Sequence, residues 1–223
     1  MQKFENIVNW NNIHAQAQNF QNNKPFKFAF IEEFFVRDFY EKLYNEYPSL
    51  DSFFTHQDLS KCQLYRNWNN ETGTVSSGPD PAFSDTWNTL KLYAESEEFI
   101  SNMRHFSGVP VNKLKKFKFM AYRKGGFQLA HTHDVGPSTL IFMLYFSKGW
   151  KKGEPGGTFM TTEDDESKII FEPYNLDNSV AVFHDSSNSS HGTRYITQNA
   201  ERRAFQITLE EYHPKNGWTG RND

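Results

Sequence analysis

Phe117-Lys118-Phe119-Met120-Ala121-Tyr122-Arg123-Lys124-Gly125-Gly126-Phe127-Gln128-Leu129-Ala130-His131-Thr132-His133-Asp134 changes the character of this chain. Phe117, Phe119 and Ala121 alternate with Lys116, Lys118 and Met120, which is the two-residue period of a strand. A paired glycine then permits a bend. Two imidazoles and a carboxylate follow within four residues. On a strand, His131 and His133 project from one face and Asp134 from the other.

The same short-strand texture continues downstream. Thr139 to Phe146 is a strongly apolar run, and Lys168 to Phe171, Ser179 to Phe183 and Ala204 to Leu209 read as further strands. Glycine, asparagine and proline turns separate them. His191 follows the polar turn Ser186-Ser187-Asn188-Ser189-Ser190, and Arg202-Arg203 come shortly after it.

Upstream the period lengthens. Ile31 to Tyr47 spaces Phe35, Phe39, Leu43 and Tyr47 four apart, as on one helix face, and Pro48 ends it. Phe26 to Phe30 alternates as a strand does. Ser84 to Phe106 reads as a helix or helix pair stopped by Gly108-Val109-Pro110. Residues 51–81 are loop-rich, and a long polar loop often forms a lid or binding surface. Helices first and about six to eight short strands afterwards predict an α+β domain. Its sheet is best satisfied by a double-stranded β-helix, or jelly roll, with N-terminal helices packed on it. One domain over 1–223 is expected, with helical support and a substrate loop in 1–110 and the jelly-roll core in 111–213.

Composition narrows the function. The 223 residues carry a net charge of −3, which forecasts no nucleic-acid partner. No apolar run approaches the ~20 residues of a membrane span. A basic-then-apolar secretory signal is missing from the first residues, and the single cysteine, Cys62, suits a reducing cytoplasm. Aromatics make up 17% of the chain, so rings are expected to supply much of the core.

Two close histidines, a distant one and an arginine beyond suit a redox metal with open positions, because a facial ligand set leaves room for cosubstrate and oxygen. The order of motifs resembles the 2-oxoglutarate- and Fe(II)-dependent oxygenase superfamily, in its prolyl 4-hydroxylase-like branch. The resemblance spans about Phe117 to Tyr212. It rests on Tyr122-Arg123-Lys124-Gly125-Gly126, on Leu144-Tyr145-Phe146 with Trp150 and Gly156-Gly157, and on Phe171-Glu172-Pro173. Val180 to Phe183 before His191-Gly192, and Arg202-Arg203-Ala204-Phe205, complete it.

The resemblance implies Fe(II), 2-oxoglutarate and O2, and a dioxygenase that hydroxylates an unactivated C–H of an amino acid, peptide or related substrate. It departs from the His-x-Asp pattern, because His133 stands where the acid belongs. Two ligand sets therefore remain: His131, His133 and His191, or a set in which a bulge brings Asp134 to the metal in place of His133. Arg202 is the expected anchor of the cosubstrate's far carboxylate, with Arg203 as the alternative. Tyr122 is expected to donate a hydroxyl to the cosubstrate. Tyr65, Arg66 and Trp68 are candidates for contacting a small-molecule or peptide substrate. A halogenase-type or other radical outcome, and a jelly-roll module that binds metal or ligand without turnover, are the competing readings. Oligomeric state is not readable.

Overall fold

A computed structural model describes residues 4–133 and 136–220. Two short helices, α1 (Trp10–Ala15) and α2 (Ala17–Asn22), precede strand β1 (Phe28–Glu32) and helix α3 (Arg37–Asn45). A hairpin, β2 (Phe54–Gln57) and β3 (Lys61–Asn67), leads to helices α4 (Asp85–Ala94) and α5 (Glu97–Ser107). The remaining strands are β4 (Lys113–Tyr122), β5 (Phe127–His131), β6 (Thr139–Phe146), β7 (Phe159–Thr161), β8 (Ile169–Phe171), β9 (Asp177–Asp185), β10 (Ser190–Thr193), β11 (Arg202–Glu210), β12 (Tyr212–His213) and β13 (Gly217–Trp218).

The strands run β1-β9-β6-β11-β4-β3-β5-β10-β7-β8 in one curled antiparallel sheet, with β2 beside β3. The order β9-β6-β11-β4 and the order β5-β10-β7-β8 are the two faces of a jelly roll. β3 joins them, pairing with β4 through Leu64↔Ala121 and with β5 through Cys62↔Phe127.

Every residue of β6 is buried. Alternation divides its side chains between two cores. Leu140, Phe142, Leu144 and Phe146 meet the helices, and Ile141, Met143 and Tyr145 face the sheet's interior. β9 and β11 divide the same way, with Val180, Val182, Phe205 and Ile207 outward and Ala181, Phe183 and Ala204 inward.

The helical side is built of rings. Phe119 has Trp87, Phe205, Phe83 and Tyr47 around it at centroid distances of 4.6, 4.7, 4.9 and 5.3 Å. Aromatic bulk replaces scarce aliphatics, as the composition predicts.

The helix pair is specified locally. The hydroxyls of Ser84 and Ser96 cap α4 and α5 by accepting from the amides of Trp87 and Phe99. Gly108 ends α5 in the left-handed conformation, with φ +63°.

Three local expectations shift. The predicted helix over Ile31–Tyr47 begins only at Arg37, because Phe28–Glu32 is claimed by β9 through Phe28↔Phe183 to Glu32↔Ser179. The strand expected at Phe26–Phe30 is the same element displaced by two residues. Part of the loop expected over 51–81 is the β2–β3 hairpin; its polar side chains hide a strand whose pairing with β4 and β5 is long-range. Among the described residues, no helix is long and apolar enough to cross a membrane.

Candidate metal and cosubstrate site

The antiparallel pairing of β5 with β10 sets His131 directly opposite His191. His133 lies just past the end of β5 and turns back toward the same point. The ring centroids are 4.5 Å apart for His131–His191 and 4.9 Å for each of the other two pairs. One nitrogen from each ring lies within 4.8 Å of the other two. Asp134 lies outside the described residues.

The other nitrogen of each ring is held by oxygen. His131 Nδ1 is 3.0 Å from the Leu129 carbonyl, His191 Nδ1 is 2.9 Å from the Ser189 carbonyl, and His133 Nδ1 is 2.7 Å from Asp185 Oδ2. A carbonyl or carboxylate only accepts, so each Nδ1 carries the proton. That tautomer leaves Nε2 of each ring without a proton, the form a metal-binding imidazole takes; His131 Nε2 lies 3.2 Å from Gln128 Nε2.

Asp185 is fully buried and also accepts from Ser189 Oγ at 3.1 Å. Burial alone would raise its pKa, but the hydrogen bond and charge of His133, with His191 and Ser189, hold it below the usual carboxylate range. Burial and the two neighbouring rings push His191 down to about 3, and burial lowers His131. Neutral imidazoles are the form that ligates a cation.

Arg202 is completely buried. Its Nε donates to the Gly156 carbonyl at 2.6 Å and its Nη2 to Thr158 Oγ1 at 3.2 Å, while Nη1 has no hydrogen-bond partner among the described residues. No carboxylate pairs with it among the described residues. The rings of Tyr122 and Tyr145 each lie 5.0 Å from the guanidinium carbon. An unpaired buried guanidinium is costly, so such a group calls for an anion. Gly156 adopts φ +153°, and a Cβ there would come 2.7 Å from the Trp150 ring. Gly156 thus presents its carbonyl to Arg202 at a point where only glycine fits.

Arg203 points the other way. It pairs with Glu201 at 2.7 Å and lies over the Tyr47 ring, on the helical side. Alternation along β11 separates the two neighbours. The Tyr122 hydroxyl contacts Gln63 and Gln128.

A cavity of about 490 Å³ opens in front of the three histidines, and Arg202 lies outside its lining. Its walls include His131, His133, His191, Asp185, Tyr122 and Thr158. Of the substrate candidates, Tyr65 and Trp68 line an adjoining hollow. Arg66 faces away, bonding Ser52 Oγ at 2.8 Å and lying over the Phe83 ring.

Asp185 and Thr158 were not identifiable as site residues by motif. Asp185 had one usable signal: it alternates with Phe183 onto the inward face of β9. His184, on the opposite face, bonds the Pro137 carbonyl.

No protein-family model matches the sequence, and no curated protein matches it. Solved structures do match in fold. A prolyl-4-hydroxylase from Pseudomonas putida superposes with a TM-score of 0.64 at 12% identity, covering 88% of this chain and 97% of that one. The α-ketoglutarate-dependent epimerase SnoN from nogalamycin biosynthesis gives 0.61 at 8%, covering 89% and 83%. HygX from Streptomyces hygroscopicus, solved with nickel, 2-oxoglutarate and hygromycin B, gives 0.57 at 12%, covering 82% of each chain. At these identities the likeness establishes the jelly-roll fold.

Proposed function

We propose that this chain is an Fe(II)- and 2-oxoglutarate-dependent dioxygenase that hydroxylates an unactivated C–H bond. The observation that carries the reading is the pairing of the cavity's histidines with a buried cation behind its wall. Three imidazoles with oriented Nε2 atoms stand at one place, and a buried guanidinium with an open Nη1 stands behind the wall formed by Tyr122 and Thr158. Three histidines alone would serve zinc equally well. The buried cation is what favours a cosubstrate that ends in a carboxylate.

The residues fit both groups. His131, His133 and His191 would hold the metal, leaving positions open on the cavity side. Arg202 would receive the far carboxylate of 2-oxoglutarate through Nη1, with the Tyr122 and Tyr145 rings packed beside the guanidinium. When bound, iron would supply dioxygen activation coupled to decarboxylation of 2-oxoglutarate to succinate and CO2. The chain itself holds the ligand tautomers and supplies a buried negative charge through Asp185.

Prolyl hydroxylases and an epimerase share this fold, so the reaction outcome is a separate question from the cofactors. Anaerobic addition of Fe(II) and 2-oxoglutarate should produce a visible metal-to-ligand charge-transfer band. Folded protein that binds neither component, or that turns over without releasing succinate, overturns the proposal. Oxygen incorporated into the product separates hydroxylation from halogenation, epimerisation or ring closure.

A further inference from the structure

The cavity before the histidines runs on along β3 and β4 into a second hollow of about 190 Å³ beneath residues 71–75. Lys61, Gln63, Lys116 and Lys118 line both volumes. The two hollows therefore form one groove with lysines at its waist. Strand geometry puts them there: Lys116, Lys118, Met120 and Tyr122 share the inward face of β4, opposite Phe117 and Phe119. Lys118 stands across from Gln206 on β11 and Asn67 on β3.

These half-buried lysines differ from the two buried ones. Lys91 is paired with Glu95 at 2.7 Å, and Lys115 with Glu210 at 2.8 Å. Lys61, Lys116 and Lys118 form no ion pair with a carboxylate among the described residues. Three carboxylates also line the groove, each bonded elsewhere: Asp185 to His133 and Ser189, Glu210 to Lys115, Thr139 and the Gly220 amide, and Glu71 to the Ser76 amide. Lys118 is driven down to about 7, by burial first and then by Lys116 and Lys61. A chain with a net charge of −3 has thus gathered three lysines without an ion-pair partner among the described residues around one groove. Such a concentration of like charge is repulsive unless an anion joins it.

We propose that the groove recognises a substrate bearing an oxyanion, a carboxylate or phosphate, held by Lys118, Lys116 and Lys61. The substrate's reacting carbon then lies toward the histidines, a placement that rests on the function proposed above; the anion subsite itself does not. Lysine suits this task because a flexible point charge accepts either oxyanion. The subsite is distinct from the Arg202 pocket. Arg202 and Gln206 are four residues apart on β11, roughly 13 Å along a strand.

The test is calorimetric titration of the full metal-free chain with inorganic phosphate and, separately, with N-acetylglutamate, followed by titration with 2-oxoglutarate after loading with Ni(II). Saturable binding of at least one probe to the wild type is expected, and the responding probe assigns phosphate or carboxylate. The double variant K116M/K118M should bind that probe about tenfold more weakly or worse. It should keep its 2-oxoglutarate affinity. Lys124→Met, a change on the exposed surface, should alter neither. If K116M/K118M fails to fold, Lys61→Gln and Lys116→Gln at the groove wall replace it, each expected to weaken the probe several-fold. Three results overturn the proposal: neither probe binds folded wild type, the lysine variants bind the probe as wild type does, or they lose 2-oxoglutarate instead. Failure of the cofactor reading would look different, with the probe bound normally and 2-oxoglutarate not bound at all.

Discussion

Asp185 Oδ2 lies 2.7 Å from His133 Nδ1, inside the protein and 52 residues away in sequence. Three neutral imidazoles would leave a divalent metal with its full charge, where a His-x-Asp set would leave it with one unit. Asp185 restores a negative charge one bond further out, through His133. Asp185→Asn should therefore weaken metal binding by about 10–100-fold while leaving the fold intact, since the amide replaces the carboxylate at equal size. Competition against a chromophoric chelator measures it, and unchanged affinity would remove Asp185 from the site.

The histidines should act as a unit. His131→Ala and His191→Ala should each abolish stoichiometric Fe(II) or Ni(II) binding at micromolar protein, because two remaining ligands do not make a facial set. His184→Ala, on the opposite face of β9, should bind metal as wild type does.

The two adjacent arginines should separate cleanly. Arg202→Met should cost roughly 2–5 kcal/mol of 2-oxoglutarate affinity in the metal-loaded protein, the loss expected when a buried carboxylate loses its partner. Arg203→Met removes a partly exposed pair with Glu201 and should change that affinity by less than about 1 kcal/mol. Equal effects would contradict the alternation on β11.

Lys118 should leave a mark on stability against pH. Its folded pKa, near 7, lies below the ordinary lysine value of 10.5. Between those two values the unfolded chain binds more protons than the folded one, so stability should rise with pH across that window, by at most about 1.4 kcal/mol per pH unit. Below pH 7 both states are protonated and the slope should vanish. Urea midpoints of wild type and Lys118→Met should diverge in slope between pH 7 and 10; parallel profiles would refute the assignment.

Phe119 ties the helical layer to the sheet through Tyr47, Phe83, Trp87 and Phe205. Phe119→Ala should destabilise the fold by about 3–5 kcal/mol, as large core deletions do. Thermal unfolding of the metal-free protein would measure it. Phe54→Ala, at an exposed position, should have little effect.

Periodicity carried most of the fold. β6 coincides with the apolar run Thr139–Phe146, and the paired helices α4 and α5 lie where Ser84 to Phe106 predicts them, because burial on both sides or along one stripe is written in local spacing. The motif spacing likewise singled out His131, His133, His191 and Arg202 as a group. What spacing could not supply was register. The pairing of His131 with His191, the joining of β3 to β4 and β5, and the approach of Asp185 to His133 depend on long-range pairing between strands that read alike in isolation. The same holds for the lysine groove. Residues 61, 116 and 118 look like ordinary solvated charges along the chain, and only the curl of the sheet, which turns their faces inward to a shared cavity, makes them a cluster with no ion-pair partner among the described residues.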